Sequence, residues 1–167
     1  MKRIARSLLI IAAVAALAVG ATSAVWTDSA TVPDNAFTTG TLDISTDPTS
    51  AMFTADDIYP GWSETQSLIV SNDGTIPLKY DIAASKSAGD DALYTSSKFL
   101  LKIGTTSGAG DIYNGTVSGL SNLSSMRTLA ASANETIYFT VSLDSTAGND
   151  LQNLSATVTF TFSATQV

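Results

Sequence analysis

The sequence predicts an all-β chain: a jelly-roll or immunoglobulin-like β-sandwich of about seven or eight strands, preceded by a signal peptide. Three observations carry this. Ser and Thr fill 45 of the 167 positions and charged residues only 14%. Short runs of Val, Ile, Phe and Tyr are broken by Gly, Asn, Asp and Ser, which is strand-and-turn composition. Apolar residues alternate at period two in several stretches, and beyond the first 24 residues nothing sustains a period of 3.6.

The leader reads as three parts. Lys2, Arg3 and Arg6 form a positive start, Leu8 to Val19 is an unbroken apolar run, and Thr22 and Ala24 supply the small residues of an A-x-A-like cleavage site. Twelve apolar residues fall short of the roughly 20 that span a bilayer, so export with cleavage between Ala24 and Val25 is expected over an uncleaved anchor. Signal peptidase is thus a partner during export. Residues 25–167 keep all fifteen acidic residues but five basic ones, a net charge of −10. That disfavours nucleic acid and anionic membranes as partners, because both call for a basic surface. A chain of this length forms one self-sufficient core, so the expected division is 1–24 signal peptide, 25–37 amino-terminal strand and 38–167 sandwich.

Four strands show clean alternation: Ile76, Leu78, Tyr80, Ile82 and Ala84; Phe99, Leu101 and Ile103; Ile137, Phe139, Val141 and Leu143; and Val158, Phe160, Phe162 and Ala164. The last set places Phe160 and Phe162 near the centre of the core. Weaker strands are expected over Thr41–Thr46 with Leu42 and Ile44 inward, Ala51–Thr54, and Ser67–Ser71. The continuous triplet Leu68-Ile69-Val70 there suggests burial on both faces. Pro60-Gly61 and Asn72-Asp73-Gly74 read as turns, and Asn114-Gly115 as a two-residue hairpin. A short helix fits within Lys86–Lys98. Trp62, after Pro60-Gly61, is expected to cap the core.

Cysteine and histidine are absent. The fold therefore has no disulfide, and no Cys or His is available as nucleophile, base or zinc ligand. Neither H-E-x-x-H, nor a Ser-His pair, nor a G-x-S-x-G elbow occurs. Asp56-Asp57 and Asp90-Asp91 lack the spacing of a calcium loop and read as surface charge. No catalytic residue, cofactor or metal site is expected. Four Asn-x-Ser/Thr sequons make Asn114, Asn122, Asn134 and Asn153 candidate glycosylation acceptors where the host has the machinery.

In order and spacing, several patches are similar to the TasA/camelysin family, whose members carry a SipW-dependent type of signal peptide. They are Ala24-Val25-Trp26-Thr27-Asp28, Asn35-Ala36-Phe37-Thr38-Thr39-Gly40-Thr41-Leu42-Asp43-Ile44, Ile58-Tyr59-Pro60-Gly61-Trp62, Val70 to Tyr80, Ala147-Gly148-Asn149-Asp150 with Gln152, and Phe160 to Gln166. The resemblance implies a secreted subunit of extracellular fibres or pili in a biofilm matrix, polymerising head to tail as the segment freed by cleavage joins a neighbour as a strand. Read from the residues, the even positions after cleavage include Trp26, Ala30, Val32 and Ala36, with Asp28 and Asp34 among them, and the odd ones include Thr27, Ser29, Thr31 and Asn35. That is a modestly amphipathic strand able to fill a groove, with Pro33 suited to an edge. It is equally compatible with an ordinary first strand or a frayed terminus. Two further functions stay open: a monomeric exported cell-surface binding module and, last, a secreted camelysin-type peptidase.

Overall fold

In the computed structural model, the described residues are 4, 8, 29–30, 35–123 and 127–167. The chain divides into two compact units, 1–38 and 39–167. In the first, Ile4 and Leu8 are helical and exposed, and residues 35–38 are exposed without regular structure. The cleavage pair Ala24 and Val25, together with Trp26 and Val32, lie outside the described residues.

The second unit is an all-β sandwich. Its strands among the described residues are β1 (Ile44–Asp47), β2 (Ser63–Asn72), β3 (Leu78–Gly89), β4 (Phe99–Gly104), β5 (Tyr113–Thr116), β6 (Arg127–Leu129), β7 (Asn134–Leu143) and β8 (Ala156–Gln166). A four-residue helix, α1 (Asp91–Tyr94), precedes β4. Every pairing is antiparallel, in a five-stranded sheet ordered β1-β2-β7-β4-β5 and a three-stranded sheet ordered β6-β3-β8. Alternation places Leu78, Tyr80 and Ile82 of β3 against Ile137 and Phe139 of β7, Leu101 and Ile103 of β4, and Val70 of β2, all fully buried.

One polar cluster joins the sheets at one end of this core. The Tyr80 hydroxyl donates to Glu135 Oε1 at 2.8 Å, and Arg127 donates from Nε at 3.0 Å and from its terminal NH2 to the same carboxylate. Burial, then the hydrogen bond and the charge of Glu135, push the Tyr80 phenol far above its ordinary range. Asn72, also buried, closes the same end. Its amide donates to the carbonyls of Ile76 and Ala130, both at 2.9 Å, and its oxygen accepts from Gly74 N at 3.0 Å.

Several details differ from the sequence expectations. Ala51–Thr54 is not a strand. Met52 and Phe53 instead pack half-buried against the core from an irregular segment. The first strand starts at Ile44, leaving Leu42 exposed. Ile69 is 38% exposed, because the continuous apolar triplet still obeys the pleat: Leu68 and Val70 face in and Ile69 out. Asn114-Gly115 is no hairpin turn. It lies within β5, opposite Lys102 and Leu101. The reversal uses residues 105–112, where Asp111 accepts from Thr105 N at 3.0 Å and Thr105 Oγ1 at 2.9 Å. The Lys86–Lys98 helix shrinks to α1, since β3 runs on to Gly89. Pro60-Gly61 does make a turn, with Gly61 at φ 91 and Trp62 N donating to Tyr59 O at 2.8 Å. Trp62 packs on the core as expected.

Candidate functional site

Phe160 and Phe162 depart most from expectation, and their departure locates the site. They alternate inward on β8 with Val158 and Ala164, yet all four are only half-buried. Across the β3–β8 ladder the partners of Phe160, Phe162 and Ala164, which are Ala84, Ile82 and Tyr80, are buried. The reason is topological. β8 is an edge strand, paired with β3 on one side and with no strand among the described residues on the other. The facing sheet has five strands against its three, so the apolar face of β8 overhangs into an incompletely filled space.

That space is a groove along β8. Beside the middle of β8 it is a shallow cleft of about 450 Å³ between Ile44, Ser45 and Thr46 of β1 and Phe160, Thr161 and Phe162. Toward the start of β8 it widens to about 1080 Å³, walled by Met52, Phe53, Ile58, Trp62, Val158 and Phe160 among others. Aromatic contact holds its floor: Phe139 lies 5.1 Å from Phe160 and 6.4 Å from Phe162, centroid to centroid. Only the inner face is apolar. Thr157, Thr159, Thr161, Ser163 and Thr165 alternate outward and are exposed. An exposed edge with free backbone groups and a half-covered apolar face can accept a further strand by β-addition.

Opposite, β1 carries the entry of the chain into the sandwich. Thr41 N donates to Thr75 Oγ1 at 2.8 Å, Thr75 N to Thr41 O at 3.0 Å, and Asp73 N to Asp43 O at 3.1 Å. A Cβ on Gly74 would collide with the Thr41 carbonyl, so glycine permits this close approach. Just upstream, Ala36 is exposed and Phe37 is 94% exposed. Ala30 is exposed too.

The other sequence candidates lie apart from the groove. Asn114, Asn122 and Asn134 are exposed at β5, after a 3-10 turn and at the start of β7, and Asn153 is exposed with φ 59. The groove walls Met52, Phe53 and Ile58 were missed, because half-burial of an irregular segment leaves no periodic signal.

The fold and site define an all-β sandwich with one sheet edge left open beside an apolar groove. A model of the family described as camelysin metallo-endopeptidase matches residues 1–97, and the chain belongs to that TasA/camelysin family. No curated protein matches the chain. The family description implies a metal, and the donor set does not fit a catalytic zinc. With no histidine or cysteine in the sequence, only oxygen ligands remain. Among the described residues no three carboxylates cluster. Of the two aspartate pairs, Asp56 and Asp57 are exposed, and the other is engaged elsewhere, with Asp90 accepting from Ser155 N at 2.9 Å and Asp91 paired with Lys86 at 2.6 Å.

Proposed function

We propose that this chain is a secreted structural subunit of extracellular fibres or pili, assembled as residues 25–37 of one copy complete the β8 edge of the next. Cleavage after Ala24 frees that segment, and Trp26, Ala30, Val32 and Ala36 enter the groove. The half-exposed inward face of Val158, Phe160 and Phe162 on an edge strand carries the reading. An apolar stripe left half in water gains roughly 25 cal/mol for each Å² that an added strand covers. In this reading the chain is not an enzyme.

Electron microscopy of the exported protein, with and without residues 25–37, tests it. Filaments that vanish with the deletion support the reading, and filaments that persist overturn it. Amino-terminal sequencing of the exported chain is expected to begin at Val25. Chelator-sensitive proteolysis that stays with the chain through purification overturns the non-enzymatic part. Soluble monomers of intact length that bind a glycan through the groove favour the binding-module alternative instead.

A further inference from the structure

The direction of a strand entering the groove is tied to the kind of assembly it makes, and the sandwich limits the choice. Its two ends are distinct. At the turn end lie residues 73–77 between β2 and β3, the start of β7 and the carboxyl end of β8, since Leu78 pairs with Gln166 and Ser71 with Asn134. At the loop end lie residues 48–62, the end of β7 and the start of β8. The chain enters the sandwich at the turn end, where Thr41 and Asp43 are held against Thr75 and Asp73.

Between residues 25–37 and that anchor stand Thr38, Thr39 and Gly40, a reach of about 10 Å. β8 has eleven residues, about 36 Å of strand. The segment therefore cannot pass along its own body to the loop end and then turn into its own groove. Entering its own groove at the turn end, it would lie parallel to β8. Two copies swapping segments turn end to turn end would also pair parallel, and that two-fold contact closes as a dimer. When instead the turn end of one copy meets the loop end of the next, the segment enters at the loop end and lies antiparallel to β8. That contact repeats without closing.

We infer that residues 25–37 of a second copy run antiparallel to β8, with Ala36 at the loop end and Trp26 beyond Phe162 toward the turn end. This rests on the exchange reading above. The groove is widest toward the loop end, where residues 155–159 help to wall about 1080 Å³, against about 450 Å³ in the cleft at mid-strand beside Phe160 and Phe162, which suits entry there. Thirteen residues extend about 43 Å, enough to cover β8. Antiparallel ladders are also slightly more stable per residue than parallel ones. Phe37, almost wholly exposed, falls at the junction between copies.

The absence of cysteine makes cross-linking a direct test. One tagged copy carries Thr27→Cys, and a second carries a cysteine on the outward face of β8, clear of the groove. Mixed filaments oxidised in place are expected to link Thr27→Cys to Ser163→Cys or Thr165→Cys in roughly tenfold excess over Thr157→Cys or Thr159→Cys, given the short reach of a disulfide. The opposite preference overturns the direction. Filaments with no link to any of the four positions overturn both the direction and β8 as the acceptor edge. Wild-type chain that forms no filaments removes the exchange reading itself. Tracing the strand by electron cryomicroscopy in unmodified filaments gives the direction if a cysteine variant does not fold.

Discussion

Phe139 of β7 and Phe160 of β8 meet across the sandwich with ring centroids 5.1 Å apart, but only Phe139 is fully buried. The same contact is core on one side and rim on the other, and this asymmetry marks the open edge.

Truncating the two rings should therefore give unequal losses. Phe139→Ala is expected to cost about 3–5 kcal/mol, as for a buried aromatic, and Phe160→Ala about 1–2 kcal/mol in the monomer. Equilibrium unfolding in urea measures both. Equal losses would mean that the β8 face is closed in solution. In filaments, Phe160→Ala should lower the yield more than its monomer stability predicts.

Tyr80 makes stability fall at alkaline pH. Its phenol titrates far above the ordinary value of 10.0, chiefly through burial. From pH 10 upward the unfolded chain releases this proton while the folded chain keeps it. The stabilisation is complete below pH 10 and is lost as pH rises toward the folded value. Tyr80→Phe should flatten that decline, at a cost near neutrality of about 1 kcal/mol for the bond to Glu135. Thermal melts between pH 8 and about 11 check this, and an unchanged alkaline slope would assign the decline to other groups.

Asp111 and Asp144 act at the acid end. The Thr105 hydroxyl and then its backbone N–H hold Asp111 below its ordinary 3.8, and Thr146 does the same for Asp144 with help from Lys98. Such carboxylates stabilise the fold above the unfolded value, and the contribution is lost as pH falls through the folded one. Melting temperature should decline below about pH 4, less steeply in a Thr105→Val, Thr146→Val double variant. Parallel curves for the two proteins would remove these hydroxyls from the account.

Asn72 should prove the least replaceable polar residue at the turn end. Asn72→Ala leaves the Ile76 and Ala130 carbonyls and the Gly74 N–H without their partner, an expected loss of about 2–4 kcal/mol. Asn72→Asp should be no milder, since it replaces two donors with a buried charge. Urea unfolding ranks the variants, and a loss below about 1 kcal/mol in either would show that water replaces the amide.

Much of the sandwich was legible along the chain. The buried faces of β3, β4 and β7 follow from alternation, because a pleated strand must present every second side chain to one side. Asn114-Gly115 shows the limit of turn signals. The dipeptide permits a hairpin, but pairing with Lys102 and Leu101 makes it strand, and the Asp111–Thr105 bonds place the reversal earlier. The groove was half legible. β8 shows as the cleanest amphipathic strand, but nothing in it distinguishes an apolar face that is covered from one that is not.

By itself the sequence determined an all-β chain with fifteen acidic residues against eight basic ones, no disulfide and no histidine- or cysteine-based chemistry. These depend on residue types and local period, which need no knowledge of distant neighbours. Tertiary structure alone decided that Phe160 and Phe162 sit on a rim and that Met52 and Phe53 wall a groove rather than form a strand. It also decided that the chain enters the sandwich at the same end as the carboxyl end of β8. Each depends on how many strands stand in each sheet and which one is left at the edge. That is set by pairings between residues far apart in sequence, such as Ala84 with Phe160, which local periodicity does not encode.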